Sequence, residues 1–390
     1  MRYVYYAITN IFFLVRHLFA KTDRIIRWFY SKILMLSVSA SRMIIAKYAK
    51  YYSHVAFMIL FKQDIIAWKP DVVHAHDGLA LECGAVTAKA AGAEFIYDSH
   101  ELETHRNPPI TRFKRWQVKK LESRYLKKAS AVFTVGHRIA DHLTNSYGIK
   151  RPIVVYNAPQ KNPTSLPAKW QQTHRTDVRS EAGIANNEML LVYTGNLTIN
   201  RGLEETVEGL AEFEKLRLDY PGLPGVHFSM VGEARGNTQK IVSEIAEKHH
   251  IRHLIHFHPA VSPTAVVSFI ATADIAVIPI IPITLSYQYA MPNKLFEAMM
   301  AGLPILGARL DEMSEFISKH GLGLCYDPGS VTGFATTLIK ISSDINCYKR
   351  SVSRHSSLVN IFSWEAQEEK IIAIYNAIDD KIRSNGSKKP

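Results

Sequence analysis

Lys294 and Glu297 stand one helical turn apart in MPNKLFEAMMAGLPIL, residues 291–306, and are its only charged side chains. Leu295, Ala298, Met299 and Gly302 recur at helical spacing. Pro292 and Asn293 suit a helix entry, and Gly302–Pro304 suit the stop before a new apolar run at Ile305–Leu306. A cation at such an entry adds to the free N–H groups of the first turn and favours an anion. Glu297 is either an acceptor for hydroxyl groups or an ordinary solvated charge, and spacing leaves both readings open. The loop GNLTINRGLEE, 195–205, repeats the first part of this chemistry: it leaves a strand at Gly195, enters a helix near Gly202, and carries Arg201, whose planar guanidinium suits phosphate oxygens. Two phosphate-favouring helix starts imply a diphosphate. His74 and His76, two apart at a strand end, have the spacing of metal ligands, but no third ligand is evident and no metal or other cofactor is expected. His100, in YDSHE, is a lone loop histidine, a type that is more often structural than catalytic.

These residues need strands and helices to hold them, and the chain supplies an alternation of the two. Val72–Val73 and Phe95–Tyr97 are short apolar runs on either side of an Ala-rich helix, Leu79–Ala91. A basic helix over 111–128 follows, then ASAVFTVGHRIADHL and PIVVYNAP give two more strands with a helix between. Residues 159–175 carry three prolines and read as a linker. A second alternating set starts at EMLLVYTGNL and continues to Leu306, and after a loop an amphipathic helix begins near Phe362. Such alternation is the pattern of an α/β fold with parallel sheets, two of them here, whose ligands sit at the carboxyl ends of the strands.

The 390 residues suit two domains, and three dispersed cysteines fit free thiols in a reducing compartment. The net charge of +12 is concentrated at the front, where residues 1–70 hold eleven Lys or Arg against Asp23 and Asp64. Those cations alternate with Phe12, Phe13, Trp28 and Phe29, the composition of a helix lying in a bilayer interface. The run TRFKRWQVKKLESRYLKK, 111–128, has the same character. Both favour an anionic membrane surface over nucleic acid, for which no recognisable module is present. No run of about eighteen apolar residues is uninterrupted, so a spanning helix is not expected.

Taken in order, DVVHAHD, YDSHE, GNLTINRGLEE, MVGE, ADIAVIPI, PNKLFEAMMAGLPIL and FSWEAQEEKIIAIY resemble the family-four glycosyltransferases, from about residue 70 to about residue 380. The resemblance implies a GT-B fold: two Rossmann-like domains facing a cleft, with the last helix crossing back onto the first. The corresponding division is a basic segment 1–69, an acceptor-side domain 70–165, a nucleotide-sugar-binding domain 166–361, a crossover helix 362–382 and a tail 383–390. It also implies a retaining transferase that takes a sugar from a nucleotide diphosphate donor and needs no cofactor. By position, Glu297 matches the family's ribose-binding Glu, and Arg201 and Lys294 fall where the diphosphate is held, beside Gly195. Val261 falls where the base lies. Asn196 stands where a second cation is common. Tyr289 replaces a Glu that binds the donor sugar; a phenol can hydrogen-bond there but brings no charge. His100 matches a cleft histidine near the sugar and the leaving phosphate, with Asp98 and Glu101 placed to orient it or to cap the next helix.

The acceptor expected from family habit and the basic front is a saccharide or lipid-linked saccharide of surface polysaccharide biosynthesis. The enzyme is then cytoplasmic and peripheral on the inner membrane face. The alternative is a non-catalytic or truncated homologue serving as a subunit of an assembly complex. Family members also open with a strand and a Gly-rich loop before the stretch matching PDVVHAHD, whereas the first glycine here is Gly78. The first domain is therefore expected to be incomplete, with the true start upstream of Met1 and about four strands, near 72, 95, 132 and 154.

Overall fold

The computed structural model describes residues 53–161 and 177–386. Most of the basic front and most of the expected linker, including the expected boundary at 165, lie outside the described residues. By its contacts the chain divides into Met1–Leu60 and Phe61–Pro390, and both sheets belong to the second unit.

Helix α1 (Ser53–Trp68) leads to β1 (Val72–His76), α2 (Asp77–Ala91), β2 (Glu94–Ser99), α3 (Arg112–Tyr125), β3 (Ala131–Thr134), α4 (His137–Tyr147) and β4 (Ile153–Val154). The four strands form a parallel sheet in the order β1-β2-β3-β4, at the positions expected from the apolar runs. Short crossovers of this kind need close helix-to-sheet contact, and Gly84 supplies it: a Cβ there would lie 2.6 Å from the Ala75 Cβ.

The second half runs α5 (Val178–Ala182), β5 (Met189–Thr194), α6 (Leu203–Leu216), β6 (Val226–Val231), α7 (Thr238–Lys248), β7 (Ile255–His258), α8 (Val266–Ile270) and β8 (Ile275–Ile278). It continues through α9 (Leu285–Gln288), α10 (Asn293–Met300), β9 (Ile305–Ala308), α11 (Asp311–Lys319) and β10 (Gly323–Tyr326). All six strands are parallel, in the order β10-β9-β8-β5-β6-β7. Every residue of β5 is buried, because helices cover both faces of this sheet and each face has its own apolar cluster. The chain leaves β5 toward β7 and returns to β8 on the other side of β5, so the switch point lies between β5 and β8. A crevice opens at the carboxyl ends of the strands at such a point.

The stretch read as a loop between Leu306 and residue 362 contains α11 and β10, which add an edge strand to the sheet, and three further helices, α12 (Val331–Ser343), α13 (Ile345–Arg354) and α14 (Ser357–Phe362). Residues with modest helix preference dominate α12, and its helix is held by packing: Phe334 sits where a Cβ on Gly209 of α6 would come within 2.5 Å of its ring. The last helix, α15 (Trp364–Gly386), runs past the expected end at 382 and takes in four residues read as tail. Its Ile378 is buried with Ile96, Phe133 and Val155 of the first half, and Lys370 Nζ donates to the Val154 carbonyl at 3.0 Å. Among the described residues no helix is long and apolar enough to cross a membrane.

Candidate active site

A cavity of about 790 Å³ lies where the carboxyl ends of the two sheets face each other, lined by residues of both halves. Thr194 and Gly195 end β5, and Ile280 follows β8, so the cavity occupies the switch point. The turn into α10 presents Pro292, Asn293 and Lys294 to it, as the sequence pattern implies. The turn into α6 behaves differently: Gly195, Asn196 and Arg201 line the cavity, while Gly202 is packed against Pro279 and the first turn of α6 carries Glu204 and Glu205. What faces the cavity on that side is thus the loop and Arg201 rather than the helix start.

Lys294 and Glu297 are both inside. Lys294 is buried, its Nζ 3.8 Å from the centre of the Tyr193 ring. Burial, reinforced by the charge of Arg201, lowers its pKa. Burial raises the pKa of Glu297, against the hydrogen bond from Thr194 Oγ1 at 2.6 Å and the charge of Lys294. One carboxylate oxygen is thereby engaged by Thr194, so Glu297 meets a ligand chiefly with the other. The Arg201 guanidinium lies over the Tyr287 ring at 5.4 Å, and its Nε is buried without a hydrogen-bond partner among the described residues. A half-buried guanidinium with an open Nε–H donor is suited to an anionic ligand.

His100 lines the opposite wall. Its Nε2 lies 3.1 Å from Asp98 Oδ2, and its backbone N–H donates to Asp77 Oδ1 at 3.2 Å. The Asp98 hydrogen bond is the main cause of a raised pKa, which favours the imidazolium. Of the two flanking acids, Asp98 thus orients the ring, while Glu101 pairs with Arg106. Asp98 also stands 3.4 Å from His76 Nδ1. This corrects the reading that His74 and His76 lack a third ligand: His74, His76 and Asp98 each bring one ligand atom to within 4.8 Å of the others, a grouping able to hold a metal ion. His74 Nδ1 is taken by Tyr375 of α15 at 2.9 Å, and burial lowers its pKa to about 4.

Val261 lines the cavity with Ala260 and Pro263. Tyr289 does not. It packs with Leu285 against the apolar cluster of the first half, its ring 6.3 Å from that of His142. The tyrosine at the cavity is Tyr287, whose hydroxyl accepts from Asn107 Nδ2 at 2.7 Å. The four-residue α9, capped by Thr284, sets which tyrosine faces inward.

Residues 188–344 match the family model described as glycosyl transferases group 1, and residues 35–158 match that of glycosyltransferase family 4. The chain belongs to the group 1, family 4 glycosyltransferases. Among curated relatives, this glycosyltransferase is 22% identical to the glycogen synthase of Mycobacterium tuberculosis over 80% of its own length and 70% of that protein. It is 21% identical to the D-inositol 3-phosphate glycosyltransferase of Segniliparus rotundus, over 80% and 67%. Its fold resembles sucrose-phosphate synthase of Thermosynechococcus elongatus, with a TM-score of 0.67 at 14% identity, covering 85% of this chain and 79% of that one. It also resembles HepE of Anabaena, solved with UDP, with a TM-score of 0.62 at 19% identity, covering 83% and 82%. The GT-B architecture expected from the sequence is therefore the observed one.

The cavity of this glycosyltransferase also involves residues that the sequence did not single out. Thr194, Asn107 and Tyr287 are joined to partners or to the cavity wall by contacts across more than a hundred positions, for which no local signal exists. Gly232 and Glu233, in the MVGE stretch, also line the cavity; a Cβ on Gly232 would fall 2.0 Å from the Gly195 carbonyl oxygen, so the two loops touch through backbone.

Proposed function

We propose that this enzyme moves a sugar, with retention, from a UDP- or GDP-linked donor to a saccharide or lipid-linked saccharide of surface polysaccharide biosynthesis. It works as a peripheral protein on the cytoplasmic face of the membrane. One observation carries the donor half of the reading: Arg201, whose buried Nε has no partner among the described residues, and Lys294 converge with Glu297 on a single cavity at the switch point. In support, HepE has been solved with UDP, with UDP and glucose, and with UDP-glucose. The acceptor and membrane halves rest on the cation-rich, aromatic front of the chain.

In this reading the diphosphate lies between Arg201 and Lys294, whose charges stabilise it as it departs with the bonding electrons of the glycosyl–phosphate bond. A bound diphosphate also adds anionic charge beside the cation pair Arg201 and Lys294, in addition to that of Glu297. The free oxygen of Glu297 accepts from ribose, Val261 lies against the base, and Gly195 lets the loop backbone approach the phosphates. His100, held by Asp98, donates to the sugar or to the leaving phosphate.

Glu297→Ala is expected to weaken UDP or GDP binding at least about tenfold, near 1.5 kcal/mol, as a hydrogen-bond acceptor to ribose is lost. Calorimetry with both nucleotides checks this, and unchanged affinity would remove Glu297 from the donor. His100→Ala is expected to lower turnover about a hundredfold while nucleotide affinity stays within about twofold, since its partner is the transferring group. Intact turnover would make His100 structural. A second reading, a non-catalytic subunit, is favoured by the packing of Tyr289 away from the cavity and by Asn196 in place of a cation. Hydrolysis of a UDP- or GDP-sugar by the purified chain separates the two, because a non-catalytic subunit releases no sugar.

A further inference from the structure

From Arg112 to Lys128 the outward surface carries no exposed carboxylate; the one acid of this stretch, Glu122, is fully buried. Arg112, Arg115, Lys119, Lys120 and Arg124 are exposed on α3, and Lys127 and Lys128 continue the strip in the following turn. Two large aromatic side chains interrupt the cations, Phe113 and Trp116, 51% and 56% exposed, their rings stacked at 5.9 Å. Lys120 Nζ lies 5.1 Å from the Trp116 ring centre. The opposite face of α3 is spent on the fold: Val118 and Tyr125 are buried, and the Tyr125 hydroxyl donates to Glu82 of α2 at 2.9 Å. At the far end of the strip a second cavity, about 390 Å³, opens between Lys127, Lys150 and Arg151 above an apolar floor that includes Leu126, Ile153 and Ile374.

We propose that the outward face of α3, residues 112–128, docks this enzyme onto an anionic lipid bilayer. The proposal rests on the reading that the enzyme works at a membrane, and names the described surface that meets it. Charge complementarity selects the anionic headgroup layer. The aromatic pair selects a bilayer over a nucleic acid: exposed Phe and Trp rings stacked on each other offer no splayed platform for bases, whereas they suit the apolar layer just beneath headgroups. The cations lie on both sides of the rings along the helix, so the charged layer and the apolar layer are met together. The rim of Lys127, Lys150 and Arg151 extends the same positive strip to the amino ends of β3 and β4, away from the donor cavity at the carboxyl ends of the strands.

Cosedimentation of the full chain with phosphatidylcholine vesicles, with and without phosphatidylglycerol, tests this. Binding is expected only to the anionic vesicles. Combining Lys119→Gln, Lys120→Gln and Arg124→Gln is expected to weaken it about a hundredfold, and Trp116→Ala about tenfold, with the urea midpoint and UDP affinity unchanged. A comparison variant neutralises Arg16, Lys21, Arg24 and Arg27 to Gln. Loss of vesicle binding in that variant, with the α3 variants bound as tightly as the parent, overturns the α3 assignment and leaves the membrane reading standing. No binding of the parent chain to anionic vesicles overturns both. A DNA or RNA duplex bound more tightly than the vesicles, and lost in the α3 variants, replaces lipid by nucleic acid.

Discussion

Gly202→Ala is expected to destabilise the protein by more than about 4 kcal/mol and to remove donor binding from the fraction that stays folded. Gly202 has φ +76° and stands at the amino end of α6. A Cβ on it would lie 1.8 Å from the Pro279 carbonyl oxygen and 2.8 Å from the carbonyl carbon. Neither atom belongs to a side chain that can swing aside, so α6 or the chain leaving β8 must move. These are the two segments on either side of the switch point, and Arg201 is the neighbouring residue. Separation would therefore draw Arg201 away from Lys294 and Glu297 at the same time as it opens the core. Gly148→Ala isolates the conformational part of the effect: Gly148 also has positive φ, +59°, but nothing lies within 4 Å of the position its Cβ would take. That variant is expected to lose only about 1 kcal/mol. Urea unfolding of both variants measures the difference, and equal losses would show that the contact with Pro279 is not what requires glycine.

Glu122→Gln is expected to stabilise the protein by roughly 3–4 kcal/mol at pH 8 and by almost nothing at pH 4.5. Glu122 is fully buried on the inner face of α3, where Tyr147 donates to its Oε2 at 2.5 Å. Its Oε1 is buried without a partner among the described residues, as is the Tyr97 hydroxyl, and Glu103 adds a repulsive charge. Burial is the dominant cause of a pKa raised to about 8, opposed by the Tyr147 hydrogen bond. The fold thus favours the neutral acid. Its contribution is complete below the ordinary carboxyl pKa and is lost as pH rises to about 8, at close to 1.4 kcal/mol per pH unit within that window. Glutamine keeps an acceptor for Tyr147 and never ionises, so it removes the slope. Denaturant unfolding at both pH values decides it: a gain of the same size at pH 4.5 and pH 8 would mean that ionisation of Glu122 is not its source.

The alternation of apolar runs with amphipathic segments was enough to read two parallel α/β sheets, because periodicity and turn residues are properties of neighbouring positions. For the same reason Arg201 and Lys294 were legible as candidates for meeting an anion: each stands beside its own helix entry. Helices α11 to α14 and strand β10 were not legible; α12, rich in Thr, Ser and Ile, has little preference of its own and is a helix because Phe334 packs on Gly209. The site shows the same limit. That Tyr287 rather than Tyr289 faces the cavity follows from the short turn of α9 and from packing of Tyr289 against the first half. That Asp98 serves both His76 and His100 follows from the register of β1 beside β2, which pairs His76 with Asp98. The bonds from Thr194 to Glu297 and from Asn107 to Tyr287 join positions 103 and 180 apart. Sequence by itself determined the local elements and the residues whose chemistry is announced by an adjacent turn. Tertiary structure decided which of those residues share a cavity, because only the packing of strands and the meeting of the two sheets bring distant side chains within hydrogen-bonding reach.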